Sequence, residues 1–358
     1  MTQITQGVLA FFISLAIAFL ATPGVIRLAF KLNLVDDAKK RKHPAHTHTG
    51  VIPRAGGLGI YLAILLSSLV FLTFNQIVIG VLIGATGIVI LGLIDDRIDL
   101  PPGMRLMALF AIVFLVIFSG LGVPYITNPL GGVIRLDQVT LTYQIFGQEK
   151  HFLLLANIFA LLWITAIMNF VNWSKGVDGQ LPGFVGISAI ILGILAMRFS
   201  SHEISNLQVA LLGFIVGGAF LGFLPWNFYP QKIIPGFSGG TLGGYFLGIL
   251  SILSWGKLGT MALVLGMPLV DALYTIARRV IEGKSPLKGD DKHFHHRLLN
   301  IGWGRRRIAV FYWTVSLVFG IAALFFEQEQ KFLAFLVVCV MLACFIIIIN
   351  TIKEKVEV

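Results

Sequence analysis

The sequence contains 358 residues, of which 57% are hydrophobic and only 12% are charged. A single soluble core of this length cannot bury so much apolar surface, so the composition excludes an ordinary soluble protein and indicates one covered by lipid. The formal net charge is +10, which favours anionic partners such as lipid headgroups and phosphorylated substrates.

Long apolar runs recur along the chain and predict an all-α, polytopic membrane protein with about eleven transmembrane helices. The first run lacks a preceding basic residue and a cleavage site, so we expect a retained helix, not a removed signal peptide. The eighth run is short and glycine-rich, and we expect it to be tilted, broken or only partly spanning. No repeat or linker divides the chain, so residues 1–358 are predicted to form one integral membrane domain. The predicted spans are residues 8–30, 55–74, 77–94, 104–122, 153–170, 183–199, 207–225, 241–254, 259–281, 308–325 and 332–350.

Basic residues predict the orientation of these helices, because loops rich in Lys and Arg remain in the cytoplasm. With the N-terminus outside and the C-terminus inside, 21 of the 27 Lys and Arg residues fall in inner segments. Among the outer loops, residues 121–152 form the long one, and its alternating pattern predicts a small β-hairpin near 133–146. The inner segments are residues 31–54, 95–105, 169–182, 226–240, 278–307 and 351–358.

Three carboxylates, those of Asp95, Asp96 and Asp99, lie at the inner end of the third predicted span. Adjacent acids repel each other unless a positive charge is near, so such a cluster typically faces a metal, a basic side chain or water. A functional site is one interpretation of this cluster. A solvated helix end is the other.

A second polar segment follows the fifth predicted span. Asn169 and Asn172 share a helix face, and Gly176 and Gly179 give the backbone around Asp178 more freedom. Amides and a carboxylate at a membrane boundary can hold a nucleotide, a sugar or a metal. A helix end followed by a polar turn explains the same pattern.

Three histidines within four positions lie in the inner loop that has the most basic residues. They could ligate zinc, but the loop has no cysteine, and its nine basic residues favour an anion over a cation. A phosphate-binding site is therefore the better interpretation, and a loop that contacts lipid headgroups is the alternative. The segment comprises Asp290, Asp291, Lys292, His293, Phe294, His295, His296 and Arg297.

Further polar residues complete the predicted inner face. His48 and Arg54 belong to a basic loop before the second predicted span. Asp271 lies within the ninth apolar run, where an ionisable side chain is costly and indicates a functional site. A hydrogen bond to a neighbouring helix would explain Asp271 equally well.

In this order, the motifs resemble those of the polyprenyl-phosphate N-acetylhexosamine-1-phosphate transferases of glycosyltransferase family 4, membrane enzymes that begin bacterial cell-envelope glycan synthesis. The resemblance covers most of the chain. Residues 128–134 look more like the branch that uses simple UDP-N-acetylhexosamines than the branch that uses the muramoyl-pentapeptide nucleotide. The matching positions are His48, Pro53, Arg54, Gly56, Gly57, Asp95, Asp96, Asp99, Asn169, Asn172, Gly176, Asp178, Gly179, Arg279, Ser285, Pro286 and the segment from His293 to Leu299.

The resemblance implies transfer of a sugar 1-phosphate from a UDP-N-acetylhexosamine to undecaprenyl phosphate at the cytoplasmic face, with magnesium and with release of UMP. It implies a multi-pass protein of the inner (cytoplasmic) membrane with no nucleic-acid partner, and it leaves a homodimer open. The catalytic residues would be Asp95, Asp96 and Asp178, and Asp95 and Asp96 would contact the metal. The substrate-binding residues would be His48, Arg54, Asn169, Asn172, Lys175, Asp271, His293, His295, His296 and Arg297.

Two positions depart from the family pattern. Lys175 stands where the pattern has the first aspartate of Asp-Gly-x-Asp-Gly, and Phe237 stands where it has a magnesium-binding aspartate. Both changes remove negative charge. Lys175 could supply part of the charge that magnesium normally gives, or the site could bind ligand without turnover.

Two other classes of function compete with an enzyme. A transporter would place ionisable residues near the membrane midplane in repeated halves, which this sequence lacks. A non-catalytic relative that acts as a binding or scaffold protein in envelope assembly is the more serious alternative.

Overall fold

The computed structural model describes residues 2–37, 50–128, 131–145, 148–198, 205–254, 258–285 and 292–356. Helices dominate these ranges, as the composition predicts, and short antiparallel hairpins join some of them. The helices are α1 (Gln3–Lys31), α2 (Gly56–Phe71), α3 (Gln76–Ile98), α4 (Pro102–Ile117), α5 (Leu154–Trp173), α6 (Gln180–Ala196), α7 (Asn206–Asn227), α8 (Gly236–Leu253), α9 (Leu258–Val264), α10 (Gly266–Ile281), α11 (Phe294–Asn300), α12 (Arg305–Phe325) and α13 (Gln328–Val356).

Seven of the described helices are long and apolar enough to cross a membrane, and α9 with α10 makes an eighth if the bent pair counts as one span. Three shorter apolar helices, α2, α4 and α6, occupy other predicted spans. Large apolar side chains such as Leu20, Ile83, Leu115 and Phe325 point outward, as expected for surfaces that face lipid. The polytopic helical architecture is therefore confirmed, whereas the count of eleven spans and their orientation stay predictions.

The eighth predicted span is continuous and central in the structure. All residues of α8 are buried, and small residues allow neighbouring backbones to approach it closely. Gly57 of α2 and Gly92 of α3 lie against Ser238, while Gly244 of α8 lies against Met168 of α5. Of the three alternatives for the eighth span, a broken helix is wrong, because α8 is one unbroken helix, whereas a tilted or partly spanning helix stays a prediction.

The break occurs in the ninth predicted span instead. The helices α9 and α10 meet at an angle of 87° around Leu265. Pro268 lies in the first turn of α10 and has no N–H to donate to the carbonyl of Val264, so the helical hydrogen-bond pattern cannot run through this point. Apolar composition alone does not reveal this bend.

The long loop after α4 contains two hairpins, not the one that the sequence predicts near 133–146. The strands β3 (Tyr125–Thr127) and β4 (Val133–Arg135) pair with each other, and β5 (Thr140–Ile145) pairs with β6 (Gln148–Leu153). The two predicted strands thus both exist, but each has a different partner. A further hairpin, of β1 (Val35–Asp37) and β2 (Val51–Pro53), precedes α2.

Candidate functional site

The centre of the site is the carboxylate pair at the C-terminal end of α3. Both Asp95 and Asp96 are buried. The Oδ1 atom of Asp95 accepts a hydrogen bond from the Leu100 N–H at 3.0 Å and lies 2.7 Å from Nε of Arg105, in the first turn of α4. Its Oδ2 atom is buried and has no hydrogen-bond partner among the described residues. One oxygen of Asp95 is thus fixed by the protein, and the other has no hydrogen-bond partner within the described ranges.

The carboxylate of Asp96 accepts hydrogen bonds at the N-terminus of α8. Its Oδ1 atom accepts the Phe237 N–H at 2.9 Å and pairs with Nη2 of Arg54 at 3.2 Å, and Oδ2 accepts the Ser238 hydroxyl at 3.2 Å. A negative charge is stabilised at a helix N-terminus by the helix dipole and by the N–H groups there. Asp96 therefore joins α3, α8 and the segment that precedes α2.

Only glycine fits at the start of α8. Gly236 has a φ of +74°, in the left-handed region that side chains disfavour. A Cβ atom on Gly236 would collide with the carbonyl oxygen of Arg54 and the carboxylate of Asp96. The pairing of β1 with β2 continues one residue further, because the N–H of Arg54 donates to the carbonyl of Leu34. This hydrogen bond fixes the backbone of Arg54.

Lys175 and Phe237, the two departures from the family pattern, lie side by side. Nζ of Lys175 donates to the Gly236 carbonyl at 2.8 Å and is 5.9 Å from the centroid of the Phe237 ring. Cζ of Arg105 lies 5.5 Å from the same centroid. Two cations thus lie within about 6 Å of the centre of one aromatic ring, beside the carboxylate pair.

The two predicted asparagines have different surroundings. Asn172 lies against Gly240 of α8, and its Oδ1 atom is buried with no partner in the described part of the chain. Asn169 donates from Nδ2 to the Thr165 carbonyl of its own helix at 2.8 Å. The structure therefore places Asn172, but not the amide nitrogen of Asn169, in contact with α8.

The histidine cluster adjoins the Lys175 loop. The ring of His295 lies directly on the backbone of Gly176, where a Cβ atom would overlap it. Its Nδ1 atom is buried without a partner among the described residues. Burial, followed by the neighbouring His296 and His293, holds the pKa of His295 well below its usual value. A neutral imidazole is therefore expected at pH 7.

Asp271 holds the start of the histidine segment. Its Oδ1 atom accepts the Phe294 N–H at 2.8 Å, and its Oδ2 atom lies 2.9 Å from Nδ1 of His293. The ring of His293 stacks on that of His295 with their centroids 5.8 Å apart. Asp271 thus has the hydrogen bonds to a neighbouring element that the sequence left as an alternative, and through them it positions the cluster.

Other predicted site residues lie at the edges of this arrangement. Asp178 accepts the Gln231 N–H at 3.2 Å and lies 3.5 Å from Nη1 of Arg305. Arg297 donates to the Lys292 carbonyl and stacks over the ring of Tyr274. His48 lies outside the described residues, as do Asp290 and Asp291.

Arg105, Ser238 and Arg305 contact the predicted acids, although no motif singled them out. The sequence signal for Arg105 was its short distance along the chain from the acid cluster. Pro101 and Pro102 lie between them and favour a turn that brings Arg105 back towards the acids. Ser238 follows Phe237 directly, so its position depended on where α8 begins. Arg305 pairs with Asp178 across a long sequence separation, which one sequence cannot show.

The described side chains do not match a magnesium site of the kind that the resemblance implies. No group of three His, Cys, Asp or Glu residues within the described ranges is arranged to hold a metal ion. Magnesium prefers six oxygen ligands in octahedral geometry, whereas position 237 supplies a phenyl ring and position 175 an ammonium group.

Comparisons with known proteins agree with the resemblance drawn from the motifs. Residues 78–255 match the sequence profile of glycosyl transferase family 4. A probable undecaprenyl-phosphate N-acetylglucosaminyl 1-phosphate transferase of Bacillus subtilis (strain 168) is 28% identical over 350 residues, which cover 94% of this chain and 89% of that protein.

More distant relatives extend over the same region. An undecaprenyl-phosphate alpha-N-acetylglucosaminyl 1-phosphate transferase of Thermotoga maritima is 27% identical over 95% of this chain and 96% of its own length. A phospho-N-acetylmuramoyl-pentapeptide-transferase of Bacillus licheniformis is 26% identical over 89% of this chain and 96% of its own length. The profile and these relatives together support the family of polyprenyl-phosphate hexosamine-1-phosphate transferases within glycosyl transferase family 4.

Proposed function

We propose that this protein transfers N-acetylhexosamine 1-phosphate from a UDP-sugar to a polyprenyl phosphate, such as undecaprenyl phosphate, and releases UMP. The names of the Bacillus and Thermotoga relatives support a lipid-phosphate acceptor and an N-acetylglucosaminyl 1-phosphate group. The UDP form of the donor and the cytoplasmic face are our inferences from the motifs.

One structural observation carries this proposal. Three buried polar atoms at the site have no hydrogen-bond partner among the described residues: Asp95 Oδ2, Asn172 Oδ1 and His295 Nδ1. Buried polar groups in proteins are normally paired, so these atoms call for a ligand. They lie around the N-terminal part of α8 and the Lys175 loop, where Arg54, Arg105 and Lys175 supply positive charge.

The proposed reaction joins two anions. An oxygen of the polyprenyl phosphate attacks the β-phosphorus of the UDP-sugar, and the bond from that phosphorus to the bridging oxygen breaks, so the electron pair leaves with UMP. Positive charge at fixed positions lowers the repulsion between the phosphates and stabilises the charge on the leaving group. We assign this positive charge to Arg54, Arg105 and Lys175.

Individual roles follow from the contacts. The unpaired oxygen of Asp95 is the group available to accept a proton from the acceptor phosphate, while Asp96 holds the start of α8 in place. Asn172 and His295 would contact the nucleotide sugar, and Asp271 would orient the histidines. Asn169, Asp178, His293, His296 and Arg297 stay proposed substrate or catalytic residues on the strength of the resemblance.

A transferase assay tests this proposal. Purified protein is incubated with labelled UDP-N-acetylglucosamine and undecaprenyl phosphate, and both the lipid-linked product and UMP are measured. Asp95→Asn should lower the rate at least about a hundredfold, as expected for a group that acts in proton transfer, and Asp96→Asn should do the same because the start of α8 loses the charge that holds it in place. The matched control is Asp137→Asn, an acid in the loop after α4 that pairs with Arg135.

The outcomes separate an enzyme from a scaffold. Product formation with loss in both aspartate variants supports the proposal. Tight binding of UDP-N-acetylglucosamine with neither product nor UMP-dependent exchange would favour the non-catalytic alternative. Near-native rates in both folded aspartate variants would show that the catalytic centre lies elsewhere.

The proposed cytoplasmic face needs a separate test of orientation. Cysteines in the variants Ala45→Cys and Asp290→Cys should be shielded from an impermeant thiol reagent added outside cells, and Gln138→Cys should be labelled. The native pair Cys339 and Cys344 is first replaced by serine so that it contributes no signal. Labelling of all three positions from outside would place the site on the wrong side of the membrane for a cytosolic nucleotide.

A further inference from the structure

The ring of Phe237 and the ammonium group of Lys175 form one unit with Arg105. Nζ of Lys175 is 5.9 Å and Cζ of Arg105 is 5.5 Å from the ring centroid. Cations over an aromatic face are attracted by its negative quadrupole. The aromatic side chain thus stabilises two positive charges at a place where an acid would bind a divalent ion.

The two carboxylates of the site already have cationic partners. Arg54 lies 3.2 Å from Asp96, and Arg105 lies 2.7 Å from Asp95. The backbone N–H of Phe237 and the hydroxyl of Ser238 also donate to Asp96. A divalent ion could reach Asp95 through its Oδ2 atom, but both oxygens of Asp96 are already bonded, so an ion that bound both carboxylates would have to displace a partner of Asp96 and would lie close to Arg54 and Arg105.

The charge balance points in the same direction. Arg54, Arg105 and Lys175 surround the two buried carboxylates, and Arg105 also pairs with Asp99 at 3.3 Å, so the three cations already balance the three acids before any ligand binds. A divalent cation would add two positive charges to acids that are already neutralised. Lys175 is held at this position by its hydrogen bond to the Gly236 carbonyl, at the start of α8.

We propose that this site binds the diphosphate of its nucleotide-sugar ligand without a divalent cation, using Lys175 and Arg105, with Phe237 as the aromatic support that holds both. The identity of the ligand rests on the proposed function, whereas the exclusion of the metal does not. Lys175 and Phe237 are then a matched pair, and either one alone would be out of place. With Lys175 retained, an acid at position 237 would form an ion pair with it. With Phe237 retained, an acid at position 175 would lack the metal-binding acid at 237.

Direct metal binding tests the first half of this proposal. Purified protein is titrated with Mn²⁺, and free Mn²⁺ is followed by electron paramagnetic resonance. We expect no stoichiometric site of micromolar affinity in the wild type and one new site in the double variant Lys175→Asp with Phe237→Asp. The control Lys284→Asp with Tyr274→Asp makes the same charge change away from the carboxylate pair and should gain none.

Ligand binding tests the second half. The affinity for UDP-N-acetylglucosamine is measured by calorimetry in buffer with Mg²⁺ and in buffer with EDTA. The two dissociation constants should agree within about twofold, which is about 0.4 kcal/mol, because Mg²⁺ takes no part in the proposed binding. Lys175→Ala should weaken binding at least about tenfold in EDTA, and Lys175→Arg should restore most of it.

Two results would overturn the proposal. One is a micromolar Mn²⁺ site in the wild type that is lost in Asp95→Asn. The other is UDP-N-acetylglucosamine binding that requires Mg²⁺ and is unchanged in Lys175→Ala. If this ligand fails to bind in both buffers, the proposed function is wrong, and the Mn²⁺ titration alone then decides whether the site excludes divalent cations.

Discussion

Removal of the Arg105 side chain should destabilise the fold through the charge that it leaves on Asp95. The side chain of Asp95 is fully buried, that of Arg105 is 27% exposed, and 2.7 Å separates Nε from Oδ1. At an effective dielectric constant of about 20, the gross attraction over that distance is about 6 kcal/mol. Desolvation offsets part of this, so we expect Arg105→Ala to cost about 2–4 kcal/mol, in the range for breaking a buried pair.

Thermal unfolding in detergent measures this cost. The midpoint temperature of unfolding should fall by roughly 5 °C. A given loss of free energy lowers this temperature less in a long chain than in a short one. Arg135→Ala is the matched control, since Arg135 and Asp137 form an ion pair in which the arginine is 69% exposed. Exposed pairs contribute about 0–1 kcal/mol, so this variant should unfold close to the wild type.

A double-mutant cycle shows whether the charge on Asp95 is the cause. Asp95→Asn keeps an oxygen that can accept the Leu100 N–H but removes the charge that Arg105 neutralises. Combined with Arg105→Ala, it should recover much of the lost stability, with an interaction energy of about 2 kcal/mol. Additive effects of the two changes would refute the reasoning, because the arginine would then act through its other contacts, such as those with the Leu100 carbonyl and Asp99.

Three further predictions concern the surroundings of the acid pair. Gly236→Ala should lower the stability in thermal unfolding more than Gly302→Ala. Both glycines have positive φ, which costs about 1–2 kcal/mol for any residue with a side chain, but only at Gly236 would the new Cβ atom meet other atoms. Equal costs would contradict the close contact with Asp96. The lowered pKa of His295 means that the unfolded chain binds this proton first, so stability should fall as pH drops below about 6.5, by at most about 1.4 kcal/mol per pH unit. His295→Gln should flatten this dependence, and an unchanged pH profile would argue against a neutral buried ring. Asp271→Ala should destabilise by about 1–3 kcal/mol through the orphaned Phe294 N–H, and Asp271→Asn by less, since an acceptor remains; equal losses would exclude this hydrogen bond as the cause.

Much of the helical architecture could be predicted because a long apolar run in a membrane protein forms a helix that can cross the bilayer. Each of the eleven predicted spans overlaps a helix of the structure. The bend at Leu265 was missed because α9 and α10 are both apolar at the junction and the effect of Pro268 is local. The partners of β4 and β5 were missed because strand alternation predicts exposure of faces, not which strand pairs with which.

The site was predictable where its residues cluster in sequence and unpredictable where contacts link distant segments. Asp95, Asp96 and the histidines formed visible motifs. The contact of Lys175 with the ring of Phe237 joins positions 62 residues apart, so the sequence showed that both changes remove negative charge but not that the two side chains lie together. Arg105 was hidden because a basic residue at a helix start is ordinary until its partner is known.

The burial of α8 has a consequence for how this protein responds to its membrane. No residue of α8 faces lipid, so bilayer thickness and acyl-chain composition act on it only through the surrounding helices. The N-terminus of α8, where Asp96, Gly236 and Phe237 meet, is thereby insulated from the membrane although the acceptor is a lipid. Rates that vary between lipid mixtures would then report how the acceptor reaches the site, while the geometry of the reacting groups stays constant.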